Sequence, residues 1–286
     1  MENRHVLIVG CGKIGMPLAR QLSSEGNRVT GLRRSQQNDE NELLGFISAD
    51  VTEIDSLGVI PKSVDQAIII LPPAERTEEG YQLQYDVGLN NILSILADLK
   101  KPPECVFVSS TSVYHQRHGE WVDESSDTDP DRYNGRYLVS AEWAVLQQNS
   151  DNIIVRFSGI YGGTQTQMVE RLMQSASIQQ SPPVYTNRIH RTDCMRALHH
   201  LSRLQQEGML DHNLYLATDH DPASKWQMAE WFSQHFSYEL PAARSGATDS
   251  DQNKRCRNTR ILKTGFEFTF PTFREGYTDL RSKLNS

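Results

Sequence analysis

A glycine-rich turn close to the start of the sequence constrains the fold more than any other feature. The segment Gly10-Cys11-Gly12-Lys13-Ile14-Gly15 follows an apolar run over residues 6–9 and precedes a segment, residues 16–24, whose apolar side chains have helical spacing. The apolar run is short, β-branched and bounded by glycine, which is typical of a buried strand. A strand, a glycine turn and a helix in this order place a pyrophosphate at the helix N-terminus. The alternative is a glycine-rich turn that binds no ligand.

Apolar runs alternate with helical patterns throughout the first half of the chain. This alternation predicts an α/β fold, a Rossmann-type doubly wound parallel sheet with right-handed crossovers. A less regular second half suggests a smaller C-terminal substrate lobe that closes over the ligand. Strands are predicted over residues 6–9, 28–32, 46–50, 66–71, 105–109, 153–157 and 214–217, and helices over 16–24, 83–99, 133–148, 168–175 and 225–236.

Two further features of the second half are predicted from local sequence. Asp193 is a candidate N-cap for a helix that runs to Arg203, because a short carboxylate can accept hydrogen bonds from the first turn. The polar segment over residues 245–254 is predicted to be a mobile loop. The expected domains are a dinucleotide-binding domain over residues 1–162 and the substrate lobe, mainly over residues 163–286.

Composition excludes several classes of function. The chain has 286 residues and a formal net charge of −7, so we expect no nucleic-acid partner. It contains no apolar run of 18 residues, which argues against a membrane-spanning segment. Its four cysteines are far apart and form no paired motif, which favours a reducing cytoplasm and argues against a metal site.

The end of the second predicted strand bears on the choice of cofactor. Dinucleotide-binding units that prefer NAD carry an acidic residue here, which holds the ribose 2′-hydroxyl, whereas this chain has Arg33 and Arg34. An arginine can bind a 2′-phosphate and stack on adenine, so we expect NADP rather than NAD. If both arginines are simply solvated, the choice between NADP and NAD stays open.

The remaining expected cofactor contacts come from the turn and from two strand ends. Asp50 is placed to reach the adenine amino group, although a cap at the strand end is an equal alternative. Cys11 is expected to have no redox role. The full set of predicted cofactor contacts is Gly10, Gly12, Lys13, Ile14, Gly15, Arg33, Arg34, Asp50, Val51, Leu71 and Pro72.

Further motifs give the chain a resemblance to a known family. The segment VFVSSTSVY over residues 106–114, VRFSGIYG over 155–162 and RIHRTD over 188–193 are similar to motifs of the extended short-chain dehydrogenase/reductases, in the NAD-dependent epimerase/dehydratase group. The tail over residues 258–277 is also similar, so the resemblance covers nearly the full length. The glycine turn is one residue shorter than is usual in that family.

The resemblance implies a reaction, a substrate class and an assembly. It implies reversible hydride transfer between NAD(P) and a nucleotide sugar or a similar small polyhydroxylated substrate. It also implies that segments near residues 188–204 and 214–217 return to the main domain. A homodimer through the helices at residues 83–99 and 133–148 would follow family practice.

The resemblance also implies catalytic residues, with one departure. Ser110 or Thr111 would hydrogen-bond the substrate oxygen, and Tyr133 would act as acid/base. The family has a lysine four residues after this tyrosine, where the chain has Tyr137. Only about 0.1% of an unperturbed tyrosine is ionised at pH 7, so the missing cation would cost about a thousandfold in a step that needs phenolate.

This departure leaves two hypotheses for function. Arg136 lies three residues from Tyr133 and would replace the lysine as a source of charge, though not as a proton shuttle. In that case the chain is an epimerase/dehydratase-like oxidoreductase. Alternatively, Tyr133 and Tyr137 only line a cleft and Arg136 is solvated. The chain would then be a catalytically impaired or inactive NADP-binding regulatory protein.

Overall fold

The strand, glycine turn and helix at the start of the chain begin a regular alternation. The computed structural model describes residues 3–35, 37–163, 167–247, 250 and 252–284. The strands are β1 (His5–Val9), β2 (Arg28–Arg33), β3 (Leu44–Ser48), β4 (Gln66–Ile69), β5 (Glu104–Ser110), β6 (Glu120–Val122), β7 (Ile153–Phe157), β8 (Gly159–Tyr161), β9 (Ser177–Ser181), β10 (Arg188–His190), β11 (Leu214–Ala217), β12 (Ala242–Ser245) and β13 (Lys254–Cys256).

Helices connect the strands. They are α1 (Gly15–Ser24), α2 (Glu78–Gln82), α3 (Leu89–Ala97), α4 (Tyr133–Gln148), α5 (Gln167–Met173), α6 (Arg191–Gln206), α7 (Lys225–Phe236), α8 (Thr259–Lys263) and α9 (Phe273–Leu284). A π-helix (Leu83–Gly88) joins α2 to α3, and 3₁₀ turns cover Ile54–Val59 and Thr111–Val113.

Within the described residues, seven strands form the central sheet in the order β11-β7-β5-β4-β1-β2-β3. The pairs β1–β2, β1–β4, β2–β3 and β4–β5 are parallel. In β1, residues Val6–Val9 are each at most 2% exposed, because helices cover both faces of a parallel sheet. The sheet confirms the predicted Rossmann-type α/β fold.

Several element ends differ from the sequence-based prediction. β3 starts two residues earlier than predicted and ends at Ser48, because the Asp50 carboxylate accepts hydrogen bonds from the Thr52 N–H and hydroxyl and turns the chain. β4 ends at Ile69 rather than at residue 71. These shifts leave Asp50 and Leu71 in the loops that follow their strands.

The predicted helix over residues 83–99 is also different. It begins with a π-helix, which turns Tyr85 inward so that its hydroxyl donates to the Leu71 carbonyl at 2.8 Å. Gly88, at the end of that π-helix, packs so closely that a Cβ atom would lie 2.7 Å from the Val51 side chain. The wider turn therefore fits the chain against the loops at the end of the sheet.

The prediction that Asp193 caps a helix is wrong in its detail. Asp193 lies inside the first turn of α6, and its carboxylate accepts hydrogen bonds from the Thr269 and Phe270 N–H groups at 2.8 and 2.9 Å. The predicted mobile loop over 245–254 includes residues 248, 249 and 251, which lie outside the described residues.

The chain divides into two compact units, each made of three segments. Unit 1 consists of residues 1–113, 128–156 and 194–215, and it contains most of the central sheet. Unit 2 consists of residues 114–127, 157–193 and 216–286. The boundary at residue 162 between the dinucleotide-binding domain and the substrate lobe remains a prediction.

Unit 2 has a hydrophobic core of its own. Phe232, Phe273 and Tyr277 are almost completely buried, and their rings meet edge to face or at a tilt. Trp226 and Trp231 pack against this cluster, as expected of core residues. Within the part of the chain that the structure describes, no helix combines the length and apolarity that a membrane crossing requires.

Candidate functional site

Each glycine of the turn in unit 1 has a different environment. Gly10 has φ +90°, and a Cβ atom there would overlap the Ile70 carbonyl. A Cβ atom at Gly15 would lie 2.7 Å from the Gly10 oxygen, so this glycine allows α1 to pack closely against the turn. A Cβ atom at Gly12 would meet no described atom within 4 Å. Gly12 therefore leaves open space for a ligand to approach the backbone.

The first turn of α1 supplies donors near this open space. Ile14 occupies the N-cap position, and no side chain of the described residues caps the helix there. The first N–H groups of a helix have no intrahelical partner and attract anions. The turn and the helix together form a phosphate-binding arrangement of the kind that dinucleotide sites use.

A cleft of about 790 Å³ opens beside the turn. The structure brings eight of the predicted cofactor contacts into its lining, while Lys13, Ile14 and Gly15 are outside the set of described residues that line it. The predicted contacts that line it are Gly10, Gly12, Arg33, Arg34, Asp50, Val51, Leu71 and Pro72.

Arg33 and Arg34 give one end of the cleft a positive charge. Arg33 Nη1 donates to the Gln37 side chain at 2.9 Å, which orients its guanidinium. Cys11 lies in the same lining, and burial raises the pKa of its thiol to about 11 despite the opposing charge of Arg33. A thiol with so high a pKa is a poor nucleophile at neutral pH.

Asp50 combines two of the expected roles. Its hydrogen bonds from Thr52 cap the turn after β3, and they hold the pKa of its carboxyl below the usual range. The residue still lines the cleft and is partly exposed. An ionised carboxylate at this place can accept a hydrogen bond from an amino group of a ligand.

Residues 72–84, here called the wall segment, contribute a second continuous part of the cleft lining. Sequence analysis identified only Pro72 within it. Thr77 begins α2, and its side chain accepts a hydrogen bond from the Gly80 N–H at 3.1 Å. Lining residues of the wall segment include Pro72, Ala74, Glu75, Thr77, Glu79, Gly80, Leu83 and Gln84.

The candidates that follow β5 lie against the start of α4. The Ser112 N–H donates to Ser110 Oγ at 3.2 Å, and Thr111 is buried at the start of a 3₁₀ turn. A Cβ atom at Gly135 of α4 would lie 2.7 Å from the Ser112 carbonyl oxygen. This glycine therefore lets α4 approach the segment that carries Ser110 and Thr111.

Tyr133 and Arg136 contact the wall segment. The Tyr133 hydroxyl donates to the Arg76 carbonyl at 2.8 Å, and its ring meets the Tyr81 ring edge to face at 5.5 Å. Arg136 is paired with Glu78 at 3.3 Å and also donates to the Asp131 carbonyl. The charge that was expected to replace the lysine is thus already paired with a carboxylate.

The surroundings of Tyr137 are acidic. Desolvation, followed by the nearby carboxylates of Asp86 and Glu78, raises the pKa of the Tyr137 phenol. The position where the resemblance implies a lysine therefore carries a neutral side chain in a negative field. Such a field disfavours a phenolate.

A buried ion pair beneath the site escaped sequence analysis. Arg156 of β7 binds the Glu142 carboxylate through Nε at 2.8 Å and Nη2 at 2.6 Å, and Ser109 Oγ donates to the same carboxylate at 2.5 Å. All three side chains are buried. They fix α4 to the ends of β5 and β7. A charged residue inside the apolar run IIVRF was the available signal.

Unit 2 contains a basic cavity of about 500 Å³ that sequence analysis also missed. Among the described residues that line it, four are cationic and none is acidic. Within the described residues, the buried Nε atom of Arg188 has no hydrogen-bond partner. The cations are Arg171, Arg188, Lys225 and Arg244.

Two other observations concern polar groups. Asp219 of unit 2 is 2% exposed, and burial raises the pKa of its carboxyl to about 8. In the described parts of the sequence, no group of three or more His, Cys, Asp or Glu residues is arranged to hold a metal ion.

Comparisons with known proteins place the chain in a family. Residues 4–284 match the model of the RmlD substrate binding domain. A Methylobacillus flagellatus protein, provisionally assigned to the NAD-dependent epimerase/dehydratases, has 32% identity and a TM-score of 0.80, with 99% of each chain covered. UDP-glucuronic acid 4-epimerase from Bacillus cereus, solved with NAD, has 15% identity and a TM-score of 0.74, with 99% of this chain and 100% of that chain covered.

A curated relative matches over a shorter stretch. Protein YeeZ of Escherichia coli K12 is 31% identical over 168 residues, which are 56% of this chain and 60% of YeeZ. The chain thus spans about three fifths of the length of this relative. The family model, in contrast, covers nearly the whole chain. The protein therefore belongs to the RmlD substrate-binding-domain family, within the extended short-chain dehydrogenase/reductases.

Proposed function

We propose that the protein binds NADP(H) in the cleft of unit 1 and catalyses reversible hydride transfer on a nucleotide sugar. One observation carries the cofactor assignment. Nearby backbone atoms leave no room for a side chain at Gly10 or Gly15, whereas Gly12 faces open space near the start of α1. A glycine without a neighbour to avoid is needed where a pyrophosphate approaches the backbone. The NAD bound to the Bacillus cereus enzyme supports the same class of cofactor.

Arg33 and Arg34 favour NADP over NAD. Both line the cleft at the end of β2, where a ribose 2′-phosphate would lie. We expect Arg33→Ala and Arg34→Ala to weaken NADPH binding about tenfold each and to leave NADH binding within about twofold. Isothermal titration calorimetry with NADPH and with NADH measures how much each substitution weakens the binding of each cofactor. Equal losses for NADPH and NADH would show that the two arginines do not select NADP.

The chemistry assigned to the residues follows from the family. The cofactor, when bound, supplies the hydride acceptor or donor. Ser110 or Thr111 would hold the substrate oxygen, and Tyr133 would take or return its proton. The Arg76 carbonyl currently accepts the hydrogen bond of the Tyr133 hydroxyl, so that bond has to break before Tyr133 acts on a substrate.

The basic cavity of unit 2 supports a nucleotide sugar as substrate. Four cations surround a space of about 500 Å³, which suits the diphosphate of such a compound. The nucleotide-sugar substrate in the name of the Bacillus cereus enzyme points to the same class. Arg188→Ala should therefore raise the KM for a nucleotide sugar while NADPH binding stays unchanged.

A second candidate function is cofactor binding without turnover. The pairing of Arg136 with Glu78 and the acidic surroundings of Tyr137 favour it, because neither residue supplies the free cation that the resemblance implies beside Tyr133. The protein would then report NADP(H) occupancy to a partner. This candidate requires only the cleft of unit 1.

One experiment separates the two functions. Purified protein is titrated with NADPH, and oxidation is then followed at 340 nm with a panel of UDP- and dTDP-linked keto sugars, which carry the carbonyl that would accept the hydride. Turnover that Tyr133→Phe abolishes supports the oxidoreductase. Tight binding with no turnover across the panel supports the binding protein, and absence of NADPH and NADH binding overturns both.

Exposed apolar residues support a homodimer through α4 and the π-helix. Trp143 of α4 is 65% exposed and Leu83 of the π-helix is 51% exposed, so both offer apolar surface that a second copy would bury. Light scattering of the wild type and of Trp143→Glu would test this assembly. All four cysteines lie within the described residues, where they are buried and form no disulfide, which supports the expected cytoplasmic location.

A further inference from the structure

The wall segment is held at two places by bonds of different kinds. At its base, the two residues that flank it are joined, because the buried Tyr85 hydroxyl donates to the Leu71 carbonyl at 2.8 Å. Near its middle, two exposed bonds join it to α4. One is the hydrogen bond from the Tyr133 hydroxyl to the Arg76 carbonyl. The other is the ion pair between Arg136 and Glu78, in which the Arg136 side chain is 55% exposed and the Glu78 side chain is 53% exposed. Exposed bonds open more readily than buried ones. The segment is therefore rigid at its base and weakly held further along.

The residues between these attachments form the side of the cleft. Glu75, Thr77, Glu79 and Gly80 all line it. The segment itself folds tightly, since a Cβ atom at Gly80 would overlap the Glu75 carbonyl and Thr77 caps the turn. It can therefore move as a unit when its bonds to α4 break. A movement of this unit would change the shape of the cleft.

We propose that Tyr133 and Arg136 are positioning residues that hold the wall segment in the form that binds the cofactor. Their bonds to Arg76 and Glu78 raise the fraction of molecules with a complete cleft. A bound cofactor leaves through molecules in which the wall segment has opened, so its dissociation rate rises as the fraction with a complete cleft falls. The inference rests on the proposed cofactor site, and it gives both residues a role that needs no proton transfer.

The same bonds also control where the Tyr133 hydroxyl points. While it donates to the Arg76 carbonyl, it is not available to a substrate oxygen. The Tyr81 ring keeps the Tyr133 ring in place from the side. Removal of the hydroxyl alone, by Tyr133→Phe, therefore breaks the bond to the wall segment and preserves the ring contact.

Dissociation of NADPH tests the proposal directly. Stopped-flow displacement gives its dissociation rate from the wild type, Tyr133→Phe and Arg136→Glu. We expect each single variant to dissociate about fivefold faster, because each loses one exposed polar contact. The matched control is Arg203→Ala, which removes the exposed ion pair between Arg203 and Glu207 on α6 and its C-terminal turn. Its dissociation rate should equal that of the wild type.

A charge reversal distinguishes positioning from general destabilisation. Glu78→Arg should speed NADPH dissociation as Arg136→Glu does. The double variant, which carries both substitutions, should restore the wild-type dissociation rate. The melting temperature of the cofactor-free protein should be the same in all of these variants. Unchanged dissociation in Tyr133→Phe and Arg136→Glu would overturn the proposal, even if Tyr133→Phe abolished turnover. If no variant and no wild type binds NADPH or NADH, the proposed function fails as well.

Discussion

Gly10 and Gly12 lie two residues apart, and their substitution by alanine should have opposite consequences. Gly10→Ala places a side chain at φ +90° against the Ile70 carbonyl, so we expect the free energy of unfolding to fall by about 2–4 kcal/mol. Gly12→Ala adds a methyl group to open space and should leave stability unchanged. It should weaken NADPH binding at least tenfold, because the methyl group occupies the approach of the pyrophosphate.

Urea denaturation and NADPH titration of both variants separate these effects. Gly45→Ala serves as a control, since a Cβ atom there meets nothing within 4 Å of the described structure and Gly45 does not line the cleft. Wild-type NADPH affinity in Gly12→Ala would contradict the cofactor assignment. The structural requirement for glycine at position 10 would still stand after that result.

The residues of the turn were predictable because their signal is local. Glycines that follow an apolar run define the turn, and Arg33 and Arg34 directly end the next strand. The contacts of Tyr133 and Arg136 were not predictable, because their partners Arg76 and Glu78 are 57 and 58 residues away. Nothing in the local sequence indicates that the Tyr133 hydroxyl meets a backbone carbonyl.

Helices and strands followed the periodicity of the sequence where packing did not override it. The predicted α4 and β7 coincide with the observed Tyr133–Gln148 and Ile153–Phe157. The π-helix at Leu83–Gly88 has no such signal, because it depends on the contacts of Tyr85 with Leu71 and of Gly88 with Val51. Tertiary contacts of this kind decide the helix type, and the local sequence does not reveal them.

The Glu142–Arg156 pair links α4 to the central sheet, and its loss should be costly. Glu142→Ala would leave the buried Arg156 guanidinium without its carboxylate, so we expect the free energy of unfolding to fall by about 3–5 kcal/mol. Arg20→Ala removes the ion pair between Arg20 and Asp39, where Arg20 is 61% exposed, and should cost at most about 1 kcal/mol. Urea denaturation of both variants measures the difference. Similar small losses would show that Arg156 finds another partner.

At the scale of the whole molecule, buried and exposed carboxyl groups give opposite pH dependences. Hydrogen bonds hold the pKa of Asp50 and Asp123 below the usual range. Both carboxylates therefore stabilise the fold at pH values above the pKa that they have in the unfolded chain. This stabilisation is lost as the pH falls through their pKa values in the folded protein. Burial raises the pKa of Asp219 to about 8, although the hydrogen bond from the Asp221 N–H and the charge of Arg188 both lower it. The folded protein therefore retains a proton on Asp219 that the unfolded chain loses near pH 4.

The sign for Asp219 follows from proton binding. Between about pH 4 and pH 8 the folded state holds one more proton at this residue than the unfolded state, so Asp219 makes stability fall as the pH rises. Asp219→Asn has no proton to lose and should flatten that decline. The exposed control Asp55→Asn should retain the wild-type slope. Urea denaturation at intervals from pH 5 to pH 9 measures the three curves, and a wild-type slope in Asp219→Asn would assign the decline to other groups.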